Sequence, residues 1–180
     1  MMFFTSDLHL GHKNIIRLCG RPFESVEEMD EILIDNWNKK IHRCDTVYIL
    51  GDILFRNEKP AAWYLERLKG RKHLIVGNHD AFWMRKEDYA PYFESITRML
   101  TFSDGKHRIT ACHYPMLSWP GGEKAYMLFG HIHQDTDMRW WPVIRDSKRL
   151  LNVGVDINGL APVTFDELVM NNEAFKENHQ

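Results

Sequence analysis

The chain has too few cysteines for a disulfide framework: only Cys19, Cys44 and Cys112, odd in number and far apart. None forms a Cys-x-x-Cys pair, which argues against a thiolate-held zinc and predicts reduced thiols, some of them in the core. Residues 1–7 contain no basic segment, no long apolar stretch and no small-residue cleavage site, so no secretory leader is expected. No apolar run approaches the roughly 20 residues that cross a bilayer. A cytoplasmic protein without membrane partners is therefore expected. Low-complexity tracts, repeats, long charge runs and linkers are missing as well, so residues 1–180 are expected to form one domain. Positive charge is also scarce. The 23 basic residues are outnumbered by 25 acidic ones, net −2, which gives no broad basic groove for long nucleic acid but leaves room for a small phosphorylated substrate.

What is present is an ordinary globular composition, 44% hydrophobic and 27% charged, with ten histidines as its anomaly. Residues 2–6 are apolar and β-prone, as are 46–50, 73–76, 125–129 and 150–155, and each reads as a strand. Ser25-Val26-Glu27-Glu28 has the form of a capping box. It precedes apolar residues at helical spacing (Met29, Ile32, Leu33, Trp37), predicting a helix over about 25–40. A second helix is expected over 60–68, stopped by Gly70, and a third over 165–171 behind Thr164. Runs 95–102 and 107–112 flank Asp104-Gly105, a hairpin signature. Strands alternating with helices in the first half imply a parallel sheet. The strand-rich second half implies a more antiparallel one, packed on the first with helices outside.

The polar residues fall in a repeated pattern: an apolar run ends, and a metal-competent side chain follows at once. Phe3-Phe4-Thr5-Ser6 leads to Asp7-Leu8-His9, and residues 47–50 lead to Gly51-Asp52. Residues 74–76 lead to Gly77-Asn78-His79-Asp80, residues 109–112 to His113, and residues 126–129 to Gly130-His131-Ile132-His133. Strand ends of an α/β sheet are where ligands collect, so five strands would deliver Asp, Asn or His to one edge. Asp7-x-His9 and His131-x-His133 have i, i+2 spacing, which in an extended segment puts both side chains on one face. Alone, Asp7-x-His9, Gly51-Asp52 and His113 read as a turn, a cap or a satisfied histidine, Gly77-Asn78-His79-Asp80 reads equally as an ordinary turn, and Gly130-His131-x-His133 is the more specific. Together they supply two carboxylates, one amide oxygen and four imidazoles. That exceeds one tetrahedral site and suits two divalent ions without thiolate, with Mn, Fe or Zn as the metals.

This ordered set resembles the calcineurin-like metallophosphoesterase superfamily, whose motifs run D-x-H, G-D, G-N-H-[D/E], H and G-H-x-H. Residues 11–23 and Asn152-Val153-Gly154-Val155-Asp156 further resemble a branch of small standalone bacterial and phage phosphoesterases. Leu10-Gly11-His12 departs from the many relatives that place Gly and Asn directly after the first His. The resemblance implies an α/β fold, a four-layer α/β/β/α sandwich of two mixed sheets. It implies that Asp7, His9, Asp52 and His133 hold one metal and that Asp52, Asn78, His113 and His131 hold the other, Asp52 bridging. His79 is implied to face the scissile phosphate as a general acid, with Asp80 orienting its ring. The expected chemistry is phosphoester hydrolysis by in-line attack of a metal-bridging hydroxide. Small phosphodiesters or nucleotides are the first choice of substrate, and phosphomonoesters or phosphoproteins the alternative.

Secondary candidates surround that set. His12, Arg21 and Tyr114 are expected near the substrate, Arg21 through bidentate phosphate contact. Trp119 lies in a Pro-Gly-Gly segment that reads as a rim or an apolar cover, and Trp140-Trp141 as core or partner surface. A non-catalytic protein-binding scaffold would be expected to have lost ligands, and none is lost. A zinc peptidase would need His-Glu-x-x-His, which is absent.

Overall fold

The computed structural model describes residues 1–86 and 88–179. Its first sheet contains β1 (Met2–Thr5), β2 (Thr46–Ile49), β3 (Arg71–Ile75) and β4 (Ser95–Thr97), in that spatial order and all parallel. An antiparallel bridge from Phe4 to Val163 borders it. The second sheet contains β5 (Met99–Ser103), β6 (Arg108–Cys112), β7 (Tyr126–Phe129) and β8 (Leu150–Asn152). Only the β5–β6 hairpin is antiparallel; β6, β7 and β8 run parallel. Within the second sheet, the antiparallel character expected of the second half is thus confined to one hairpin.

Side chains alternate along the strands with period two, and this separates the layers. Phe3, Val47, Ile49 and Leu74 face the helices α1 (Lys13–Leu18), α2 (Val26–Lys40), α3 (Ala61–Leu65) and α4 (Asp80–Met84). Phe4, Tyr48, Leu50 and Ile75 face the other way, onto Ile109, Ala111, Leu128 and Leu151 of the second sheet. The far face of that sheet places Met127, Phe129 and Leu150 against α5 (Trp141–Asp146), with Phe175 of α6 (Phe165–Glu177) beside them. Both sheets are therefore covered on both faces, and the result is the four-layer α/β/β/α sandwich. Double coverage also explains why several strands read as nearly continuous apolar runs. No described helix is long and apolar enough to cross a membrane.

Three local findings refine the reading of the sequence. The run 95–102 is not one strand: it breaks at Arg98, so β4 closes the first sheet and β5 opens the second. Helix α6 continues to Glu177, past the expected end near 171, because Asn172 is buried and bonded to both the N–H and C=O of Asn152 (2.7 and 2.9 Å). The short helices α1, α4 and α5 span five or six residues each, too few to show a hydrophobic period.

Candidate metal centre

The ends of β1, β2, β3, β6 and β7 converge on one edge. Thr5, Ile49 and Leu74 lie in register across the first sheet, and Ala111 and Leu128 across the second. Beyond these ends the loops are stitched together: Asp7 N–H donates to Gly51 O and His9 N–H to Asp52 O, both at 3.0 Å, and Gly130 N–H donates to His113 O at 2.9 Å. All the expected ligand residues come to this edge.

The route differs from the one expected for the two i, i+2 pairs. Asp7, His9, Asp52, His131 and His133 all have positive φ, between 51° and 70°, so the pairs are not extended. A side chain in this region costs on the order of 1–3 kcal/mol, and such residues cluster at functional sites. Two glycines let these loops approach. A Cβ at Gly77 would collide with Asp52 Oδ1, and one at Gly130 with Ser6 Oγ and Asp7 Oδ2.

Asp52 lies at the centre. Its Oδ2 faces three imidazole nitrogens: Nε2 of His113 at 3.4 Å, of His9 at 3.7 Å and of His79 at 3.9 Å. The gaps to His113 and His9 are wide for hydrogen bonds, yet right for donor atoms that share a cation at metal–ligand distances of about 2.0–2.2 Å. His9 Nε2 is buried without any hydrogen-bond partner. An unpaired buried nitrogen is costly unless it has another function, and a metal supplies one. Donor atoms of Asp7, His9 and His133 form one close group, and those of Asp7, Asp52 and His113 another. Asn78 Oδ1 is 2.9 Å from His113 Nε2, and the ring of His131 lies 5.2 Å from that of His113. The residues present thus fit a pair of divalent ions.

The histidines are oriented from behind. His113 Nδ1 pairs with Leu50 O at 2.6 Å, and His133 Nδ1 with Asp156 Oδ2 at 2.7 Å, which leaves each Nε2 for the site. Cys19 also lies near His133 and Asp156. That group sits on the Nδ1 side of His133, where Asp156 already orients the ring.

Electrostatics follow from burial and the carboxylates. Burial works to raise Asp52, but His113, the N–H of His79 and His9 bring it down to about 2. Burial works to lower His113 and His133, but Asp52 lifts His113 to about 9 and Asp156 lifts His133 to about 10. Burial drives His9 well below 6.5 and lowers His131, leaving both rings neutral and able to ligate.

His79 is partly exposed, its ring 4.1 Å from Phe55, and it lines a cavity with His9, His12, His131 and His133. His12 sits on the same wall, Nδ1 to Nδ1 3.3 Å from His9, and burial brings it to about 4. Tyr114 is exposed at the rim, its ring 4.6 Å from His131. Two expected roles do not match the placement. Asp80 does not reach the His79 ring. Its buried carboxylate accepts from the N–H groups of Asp52 (2.9 Å), Ile53 (3.0 Å) and Gly77 (2.7 Å) and from Trp83 Nε1 (3.0 Å), bracing the loops that carry Asp52 and Asn78. Arg21 does not face the cavity. It is buried, donating to Asp7 O (2.7 Å), to Leu8 O (2.8 Å) and through Nε to Asp156 (2.8 Å). All three guanidinium nitrogens are engaged within the chain, two on the backbone of Asp7 and Leu8 and Nε on Asp156. Asp156, Ser6 and Phe55 were not identified as site residues from the sequence. Asp156 closes the Asn152–Asp156 stretch, and an acid just past a strand end was the signal available.

The chain is similar to proteins of comparable length. It is 34% identical over 170 residues to an uncharacterised protein of Methanocaldococcus jannaschii, covering 93% of this chain and 89% of that one. It is 28% identical over 189 residues to the gene 66 protein of Mycobacterium phage L5, covering 87% of each. Among solved structures it superposes on a protein of unknown function from Aquifex aeolicus with TM-score 0.68 and 26% identity, over 93% of this chain and 96% of that one. The family model described as calcineurin-like phosphoesterase matches residues 2–157, from β1 through the loop carrying Asp156, and the chain belongs to that family.

Proposed function

We propose that this chain is a dinuclear metal-dependent phosphodiesterase. The observation that supports this most is Asp52 Oδ2 set between the Nε2 atoms of His9 and His113, the former buried without a partner. Asp7, His9, Asp52 and His133 would hold one ion, and Asp52, Asn78, His113 and His131 the other. Mixed nitrogen and oxygen donors fit Mn, Fe or Zn, and manganese is the ion to try first. Two such ions, when bound, neutralise phosphoryl charge and make water acidic enough to act as a nucleophile near neutral pH.

The protein's own groups do the rest. Neutral His and Asn ligands leave net positive charge at the site for an anionic ester. His79 is outside both ligand sets and on the cavity wall, placed to protonate the departing oxygen. Asp80 and Arg21 fix the loops so that the ligands need not reorganise. A diester is favoured over a monoester because, among the described residues, no Lys or Arg lines the cavity that holds His79. A diester brings one negative charge and a monoester up to two.

The test is hydrolysis of bis(p-nitrophenyl) phosphate with added Mn²⁺. Turnover should vanish with a chelator and in Asp52→Asn. His79→Ala should keep its metals and lose about 10²–10⁴ in kcat on a diester with an alkoxide leaving group, with a much smaller loss on p-nitrophenolate, which departs without a proton. Full turnover by Asp52→Asn would overturn the proposal, and faster hydrolysis of p-nitrophenyl phosphate would make it a monoesterase.

A further inference from the structure

The cavity at the metal centre has two unlike walls. One is built of imidazoles. The other is largely apolar: Ile15 and Leu18 of α1, and Ile132, Met138 and Trp140 from the segment between β7 and α5, which also contributes Gln134 and Asp135. The cavity volume is about 600 Å³, within the range of small-molecule sites. Leu18 is 64% exposed and Trp140 39%. Trp140 also borders a second hollow of about 260 Å³, lined by Pro115, Met116, Leu117, Val143 and Ile144. Leu117 is 79% exposed and Val143 49%. Trp141, its neighbour, is buried, so the Trp-Trp pair divides between core and cavity. An apolar strip therefore leads from the histidines across Trp140 and away from the metal centre.

Gln134 and Asp135 also line the cavity, and each has one polar atom engaged within the chain. Gln134 donates its amide to Cys19 O at 2.7 Å, and Asp135 Oδ1 accepts Asp137 N–H at 2.9 Å. Among the described residues no Lys or Arg is on this lining; Lys13, Arg56 and Lys59 line a separate hollow on the other side of His12.

Resting on the phosphodiesterase reading, we propose that the substrate is a phosphodiester of an apolar alcohol. Its alkyl or aryl arm lies on Leu18, Met138 and Trp140 while the phosphoryl group meets the metal ligands. This puts nucleotides and polyphosphates second.

The experiment is a series of p-nitrophenyl alkyl phosphates (methyl, butyl, octyl) and thymidine 5′-p-nitrophenyl phosphate, all releasing the same p-nitrophenolate. Full burial of a methylene is worth about fourfold in affinity. Partial burial should raise kcat/KM at least about tenfold from methyl to butyl. Trp140→Ala should cut that gain to about threefold or less, and Trp140→Phe should keep most of it. Calorimetry of methyl-, butyl- and octylphosphonate with the Mn²⁺-loaded protein gives the same comparison without turnover. A flat series, a gain unchanged by Trp140→Ala, or preference for the thymidine ester overturns the proposal and leaves the phosphodiesterase reading standing. Chain-length-dependent phosphonate binding without hydrolysis of any ester supports the apolar site and overturns the hydrolase.

Discussion

At the residue scale the site depends on side chains that touch the ligands from behind. Asp156 illustrates it: a buried carboxylate held at about 2, joined to His133 Nδ1 on one side and to Arg21 on the other. Asp156→Asn keeps the shape but removes the charge that sets the imidazole tautomer, and metal affinity should fall by about 10–100-fold. Calorimetry with Mn²⁺ measures this, and unchanged affinity would show that Asp156 only packs. Arg21→Met should be worse for the fold than for any substrate. It leaves Asp156 a buried charge without its cation and Asp7 O and Leu8 O without donors, a loss of about 3–5 kcal/mol in denaturant unfolding. A stable Arg21→Met protein with a raised KM would return Arg21 to the substrate. That the candidate ligands gather at one edge was legible in the sequence because each follows an apolar run. The Arg21–Asp156 pair was not, since 135 residues separate its members and neither carries a local pattern. The left-handed backbone of Asp7, His9, Asp52, His131 and His133 was equally hidden, because it is imposed by tertiary contacts on residues that do not demand it.

At the scale of elements, helix starts were readable where side chains make the cap. Ser25 Oγ accepts Glu28 N–H at 3.1 Å, and Thr164 and Glu167 form a reciprocal capping box. The β5–β6 hairpin followed from Asp104, whose carboxylate takes the N–H groups of Lys106 and His107 (2.8 and 2.6 Å). What escaped was the sheet switch at Arg98, which depends on partners far along the chain. The shared core between the sheets should be the least tolerant of truncation. Leu128 is fully buried there, and Leu128→Ala should cost about 2–5 kcal/mol in unfolding free energy. A loss below about 1 kcal/mol would mean that the two sheets do not share one tightly filled core.

At the scale of the molecule, two sheets meet at an edge where carboxylates and imidazoles face one another, and protons and metals compete for that edge. His113 at about 9 and His133 at about 10 are raised above the ordinary 6.5. Their contribution to the stability of the metal-free fold is complete below pH 6.5 and disappears as pH rises through 9 to 10. A metal needs these nitrogens unprotonated, so binding at pH 7.5 should release protons and apparent affinity should climb towards pH 10. Mn²⁺ titrations in buffers of different ionisation enthalpy detect that release; buffer-independent heats would contradict it. The central claim is narrower: Asp52 joins two ion sites. The most direct test counts ions per chain by elemental analysis after loading with Mn²⁺ and desalting, for wild type and Asp52→Asn. The account predicts two ions for the wild type and loss of both, or all but a trace, in the variant. One ion in the wild type, or two retained in Asp52→Asn, would contradict it.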